Sequence, residues 1–183
     1  IVAVHVPIGE VLAAANSPSS GFDRALTGRY PPGSTFKVAT TYAYLTNGII
    51  TPTSPVPCPK TTTVDGLEFG NFGGGSLPGS PPFSKSFSES CNTAFVSLAD
   101  SLEADDLTTA AKTLGIGAGW ADTVGVTGAF DGSVPATTGG TDAAAASIGQ
   151  GRVEVSPLAL AVMSGSIGRG TFLAPVLVKG PEA

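Results

Sequence analysis

The chain has 183 residues, 42% of them hydrophobic and only 13% charged, and that charged fraction is about half the ~25% usual for soluble domains. Its 25 Gly and 15 Pro keep it just below the ~25–30% Gly plus Pro of low-complexity chains, and its length suits one domain with a sizeable core, which excludes collagen, coiled-coil and acidic-tail architectures. A net charge of −5, with nine Lys plus Arg scattered along the chain, leaves no footprint for nucleic acid or an anionic membrane.

The opening Ile1-Val2-Ala3-Val4 has neither the basic start nor the cleavage pattern of a signal peptide, and no apolar run approaches the ~18–20 residues that span a bilayer. The chain is expected to be an excised or processed piece. Val2 to Ala15 reads as two short strands around Pro7-Ile8-Gly9, a hairpin. Ser17 to Gly21 is a loop, and Tyr30-Pro31-Pro32-Gly33 is a second break, kept extended because proline pushes the residue before it out of the helical region. Ser34 to Thr46 has no Gly or Pro and carries spaced apolar residues, which predicts a helix with Ser34 in its first turn and Asn47-Gly48 as its cap.

Thr51 to Pro82 is dense in Pro and Gly and reads as irregular surface with one short strand, Thr61 to Val64. Phe83 to Leu102 is a predicted helical region, and Leu107 to Leu114 a short helix capped by Gly115. Residues 115–141 are Gly/Thr-rich connection. Ser156 and Pro157 are the N-cap and first residue of a last helix whose apolar run, Leu158 to Ile167, ends at Gly168. Thr171 to Val178 reads as a strand, and neither a repeat nor a second domain is evident.

Two cysteines, Cys58 and Cys91, and one histidine, His5, exclude the usual zinc clusters, so no metal or other cofactor is expected. On the residues alone, a Cys58–Cys91 disulfide and two unrelated buried thiols are about equally consistent. Ser34 and Lys37 are three apart on one predicted helix and share a face. A lysine that loses solvation has its charged form disfavoured, so its neutral amine can accept the serine proton. Chance alone supplies roughly 0.5 Ser-x-x-Lys pairs at this composition, so order and context must decide. A second element, Ser90-Cys91-Asn92, supplies a hydroxyl for proton relay and an amide for clamping a substrate. Gly149-Gln150-Gly151 lacks the third glycine of a nucleotide loop and reads as a tight turn. Lone His5 reads as structural, and Trp120, Phe69 and Phe72 as packing under loops, with the lining of a substrate groove as the alternative.

Tyr30-Pro31-Pro32-Gly33-Ser34-Thr35-Phe36-Lys37 resembles the first motif of the bacterial high-molecular-weight, class B penicillin-binding protein transpeptidases, and Glu89-Ser90-Cys91-Asn92-Thr93-Ala94-Phe95 resembles their second. The Val2–Ala15 hairpin, Cys58-Pro59 with its following strand, and Ser147-Ile148-Gly149-Gln150-Gly151 leading into Ser156-Pro157-Leu158 agree, in the family's order. The resemblance implies an α/β (α+β) transpeptidase fold like that of β-lactamases, an antiparallel sheet flanked by helices plus a helical subdomain. It further implies Ser34 as nucleophile, Lys37 as base, Ser90 as proton relay and Asn92 as holder of the substrate amide. The substrate would be a peptidoglycan stem peptide ending in D-Ala-D-Ala, or a β-lactam. The setting would be the extracytoplasmic face of the membrane, with an N-terminal anchor and a cell-wall synthesis or division complex. An extracytoplasmic family also implies a Cys58–Cys91 disulfide.

The family's third motif, Lys-Thr-Gly or Lys-Ser-Gly, follows none of the five lysines. The 183 residues are therefore expected to be a single, incomplete transpeptidase domain that lacks its last strands and is not competent alone. Two other readings stay open. One is a β-lactamase or β-lactam sensor of the same superfamily, although no acidic residue sits in a convincing hydrolytic motif. The other is a non-catalytic penicillin-binding-like scaffold in a cell-wall complex.

Overall fold

In the computed structural model, which describes residues 1–177, strand β1 (Val2–His5) pairs antiparallel with β2 (Glu10–Ala14), with a register slip between Ala3 and Val4. The expected strand after Thr171 is reduced to a parallel bridge between Glu10 and Val176, made by Val11 N–H to the Val176 carbonyl at 2.9 Å and Val176 N–H to the Gly9 carbonyl at 3.0 Å. Val178 lies outside the described residues. Proline at 175 supplies no N–H, which limits the pairing on that side.

The hairpin belongs to the first of two compact units into which the chain folds, built from Ile1–Pro32, Ala111–Val134 and Arg152–Ala183. Its long helix starts as the sequence dictates. The Ser156 hydroxyl accepts from Ala159 N–H at 3.0 Å and donates to the Phe130 carbonyl at 2.5 Å, and Pro157 occupies the first turn. The helix does not end at Gly168. It runs from Pro157 to Arg169 and is capped by left-handed Gly170 at φ 83°. An interior glycine costs only ~1 kcal/mol, and packing on β1, with the Arg169 guanidinium donating to the Val6 carbonyl, carries the helix past it. Trp120 is buried, its indole N–H donating to the Gly115 carbonyl at 2.6 Å, so it is core rather than groove.

The second unit comprises Gly33–Ala110 and Pro135–Gly151. A 3-10 turn, Gly33–Phe36, leads into α1 (Lys37–Thr46). Strand β3 (Thr61–Val64) pairs antiparallel with β4 (Leu67–Gly70) across Asp65-Gly66, both at positive φ, as a two-residue hairpin turn requires. Then come α2 (Phe83–Ser88), α3 (Asn92–Val96), α4 (Asp106–Thr113), which passes from this unit into the first, and α5 (Gly140–Ser147). None of the described helices is long and apolar enough to cross a membrane.

An aromatic cluster forms the core of this unit. The Phe83 and Phe95 rings lie 5.2 Å apart and Tyr44 and Phe95 6.0 Å apart, at separations where such pairs add to the free energy of area burial. The Tyr44 hydroxyl donates to the Phe95 carbonyl at 2.7 Å, and burial pushes its pKa up. Thr40 Oγ1 donates to the Ser147 carbonyl at 2.9 Å, tying α1 to the end of α5. Both motifs singled out in the sequence are thereby mounted on one packed body. Phe69 joins this core, as expected of it.

Candidate active site

Stiff Pro31-Pro32 and positive-φ Gly33 deliver the chain into the 3-10 turn that holds Ser34. Gly33 N–H donates to the Gly149 carbonyl at 2.9 Å. This approach requires glycine, because a Cβ on Gly149 would sit 2.2 Å from the Gly33 carbonyl oxygen and its φ is 70°. The turn before the last helix is thus the backbone support of Ser34. The single predicted helix is split into a 3-10 turn and α1, but in 3-10 geometry residues i and i+3 eclipse, so Ser34 and Lys37 still stack on one face. Ser34 is exposed, whereas Lys37 is only 2% exposed.

The second motif departs from the helix predicted for it. The chain leaves α2 after Ser88, Ser90 takes a left-handed conformation at φ 54°, and α3 begins at Asn92. A left-handed non-glycine residue interrupts a helix, and it persists only where its surroundings hold it. Three contacts do so. Cys91 is bonded to Cys58 through a disulfide with Cα atoms 6.2 Å apart, Cys91 N–H donates to the Ser86 carbonyl at 2.9 Å, and Asn92 Nδ2 donates to the Gly70 carbonyl at 2.9 Å.

Lys37 joins the two motifs. Its Nζ donates to the Ser90 carbonyl at 2.7 Å and to Asn92 Oδ1 at 2.6 Å, lies 3.2 Å from Ser90 Oγ, and stands 5.2 Å from the centre of the Phe95 ring. These partner oxygens, a carbonyl, an amide and a hydroxyl, are neutral, so none offsets the lost hydration with an opposite charge. Burial pushes the Lys37 amine down from 10.5 to about 8.

Asn71 belongs to neither motif of the sequence. Its Oδ1 accepts from Thr93 N–H at 3.1 Å, and its Nδ2 donates to the Pro59 carbonyl at 2.8 Å and the Gly75 carbonyl at 2.9 Å, so one amide clamps three segments around the start of α3. The only sequence signal was an Asn ahead of a Gly run, which marks a turn. Ser34, Ser90, Asn92, Asn71 and Gln150 line one cavity of about 570 Å³, a size that suits a small ligand. Phe72 does not pack under its loop as expected. It is fully exposed and lines the same cavity.

An exposed serine one turn ahead of a desolvated amine, with a second hydroxyl within reach of that amine, is the arrangement of a serine acyl-transfer site. The family model of the penicillin-binding protein transpeptidase domain matches residues 1–183, and the chain belongs to that family. It is 36% identical over 203 residues to the peptidoglycan D,D-transpeptidase PbpA of Mycobacterium tuberculosis, covering 100% of this chain and 39% of that protein; the chain thus spans about two fifths of that curated relative. Among solved structures, it superposes on penicillin-binding protein A from M. tuberculosis as the imipenem acyl-enzyme with a TM-score of 0.86 at 28% identity, covering 98% of this chain and 49% of that one. The penicillin G acyl-enzyme of the same protein gives 0.82 at 28% identity, over 98% and 49%. The fold is the mixed α/β, β-lactamase-like fold of these transpeptidase domains.

Proposed function

We propose that the complete protein is a serine D,D-transpeptidase of bacterial peptidoglycan synthesis. The observation that carries this reading is Lys37, a buried amine with its pKa near 8, joined to Ser90 and Asn92 and one turn behind exposed Ser34. Ser34 Oγ attacks the carbonyl carbon of the penultimate D-Ala of a stem peptide while neutral Lys37 takes its proton. The peptide C–N bond then breaks. The proton passes through Ser90 to the leaving nitrogen, free D-Ala departs, and an ester remains on Ser34. An amine of a neighbouring strand displaces Ser34 from that ester, forming the cross-linking amide and returning a proton to the serine.

Asn92 holds the substrate amide, and the Ser34 backbone N–H faces the developing oxyanion, a type of contact worth roughly 3 kcal/mol in acyl-transfer enzymes. A β-lactam enters by the same first step, but its leaving nitrogen stays tethered. The acyl-enzyme names of the similar structures and the transpeptidase name of the curated relative support this reading. The transpeptidase name also suits a place outside the cytoplasmic membrane, where peptidoglycan is cross-linked; an N-terminal anchor and a cell-wall synthesis or division complex are part of the same proposal.

The test is covalent labelling of the full-length protein by a fluorescent penicillin. Peptide mapping is expected to put the label on Ser34, and Ser34→Ala to abolish it. Labelling that survives in the Ser34→Ala protein overturns the assignment.

A further inference from the structure

The Asn71 amide lines the cavity with Ser34 and Asn92 yet takes no part in the proposed chemistry. Its two ends are oriented by partners that act in one sense only. Thr93 N–H can only donate, and it meets Asn71 Oδ1 at 3.1 Å; the Pro59 and Gly75 carbonyls can only accept, and they meet Nδ2 at 2.8 Å and 2.9 Å. The Asn92 amide is oriented by the same logic. A charged Lys37 amine can only donate and takes Asn92 Oδ1 at 2.6 Å, so Nδ2 turns to the Gly70 carbonyl at 2.9 Å. Nδ2 carries two hydrogens, and the second is left for a ligand carbonyl.

Two consecutive residues of one segment thus grip two consecutive residues of another. The Gly70 carbonyl holds the side chain of Asn92, and the Asn71 side chain holds the backbone of Thr93. The grip is braced from behind. Thr93 is fully buried, and its hydroxyl donates at 2.7 Å to the same Pro59 carbonyl that Asn71 Nδ2 reaches, while Asn71 N–H donates to the Lys60 carbonyl at 3.3 Å. Removing the Asn71 amide leaves Thr93 N–H and the Gly75 carbonyl without these partners, and an unpaired buried group is costly enough to move the backbone that carries it. The Gly70 carbonyl then loses its register with the start of α3, and Asn92 Nδ2 loses its fixed direction.

We propose that Asn71 is a positioning residue for the acyl-transfer reaction, holding Gly70 in register with α3 so that the Asn92 amide stays turned toward the ligand. This rests on the transpeptidase reading above. In this role Asn71 acts only through Asn92, which separates it from a residue that merely stabilises the fold.

The test is a double-mutant cycle on the full-length protein, read as the second-order rate of acylation by benzylpenicillin, with circular dichroism to check folding. Asn71→Ala is expected to slow acylation about tenfold, the scale of one hydrogen bond lost to the ligand amide. In an Asn92→Ala background the same replacement is expected to change the rate by less than about twofold, because the amide through which it acts is already gone. Asn71→Asp, nearly isosteric but repelled by the Pro59 and Gly75 carbonyls, supplies the same cycle if the alanine variant does not fold. An unaltered rate, equal slowing in the two backgrounds, or loss of folding with both replacements overturns the proposal and makes Asn71 purely structural. Failure of benzylpenicillin to acylate the unaltered protein would instead overturn the transpeptidase reading itself.

Discussion

The two motifs of the site reach it by opposite physical routes. Ser34 and Lys37 belong to one short, continuous helical run, and their relation follows from local periodicity. Ser90 and Asn92 flank a break between α2 and α3 that local preference opposes, since Ser90 is left-handed. Contacts distant in sequence, to Cys58, Gly70 and Lys37, hold that break. One half of the machinery is set by the backbone it sits on, the other by what it touches.

The largest effect that sharpens this contrast is at Lys37, which belongs to both halves. Because burial lowers its pKa to about 8, the neutral amine is the minor form at pH 7 and the major form by pH 9. The acylation rate is therefore expected to rise about tenfold between those values and to level off above them. Lys37→Ala is expected to lower the rate by ~10²–10⁴ and to remove the rise. A pH profile measured with a β-lactam checks both, and a rise that persists in Lys37→Ala assigns the titration to another group.

Next in size is the covalent hold on the second motif. The disulfide closes a loop with a sequence separation of 33, for which the chain-entropy account gives about 3–4 kcal/mol. Replacing Cys58 and Cys91 together by Ser is expected to cost about that much in denaturant unfolding and to slow acylation. A small loss with unaltered acylation would mean that the contacts to Gly70 and Lys37 hold the break without the disulfide.

The smallest effect isolates local strain. Ser90→Gly and Ser90→Ala both remove the hydroxyl and should slow acylation alike, but only alanine keeps the left-handed penalty of ~1–2 kcal/mol. The glycine variant should therefore melt as the more stable of the two by about 1 kcal/mol. Equal stabilities would show that the break is not strained at this residue.

This contrast also explains what could be read in advance. The opening hairpin, the Ser34–Thr46 segment, the strand at Thr61 and the Ser156-Pro157 helix start were legible because each is specified by neighbours within a few residues. The turn at Ser90 was not, since nothing in Phe83 to Leu102 is a helix breaker. It is imposed from Cys58 and Lys37 in other segments. Strand β4 was missed because its four residues run directly into the glycines after Asn71, and Asn71 because its amide acts between segments. Gly168 misled for a related reason, packing on β1 outweighing the local stop signal. Site residue types were thus legible, whereas the geometry that brings Ser90 and Asn92 to Lys37 was not.

The contact between Gly33 and Gly149 bears on how such a site can change by substitution. Where two backbones touch with no room for a Cβ, substitution has nothing to offer but disruption, so the wall behind Ser34 is closed to gradual adjustment. The rim at Phe72 is the reverse, a side chain whose replacement disturbs no packed neighbour. Altered ligand preference is accordingly expected to accumulate at the exposed edge of the cavity, one tolerated substitution at a time, while the backbone beneath Ser34 stays fixed.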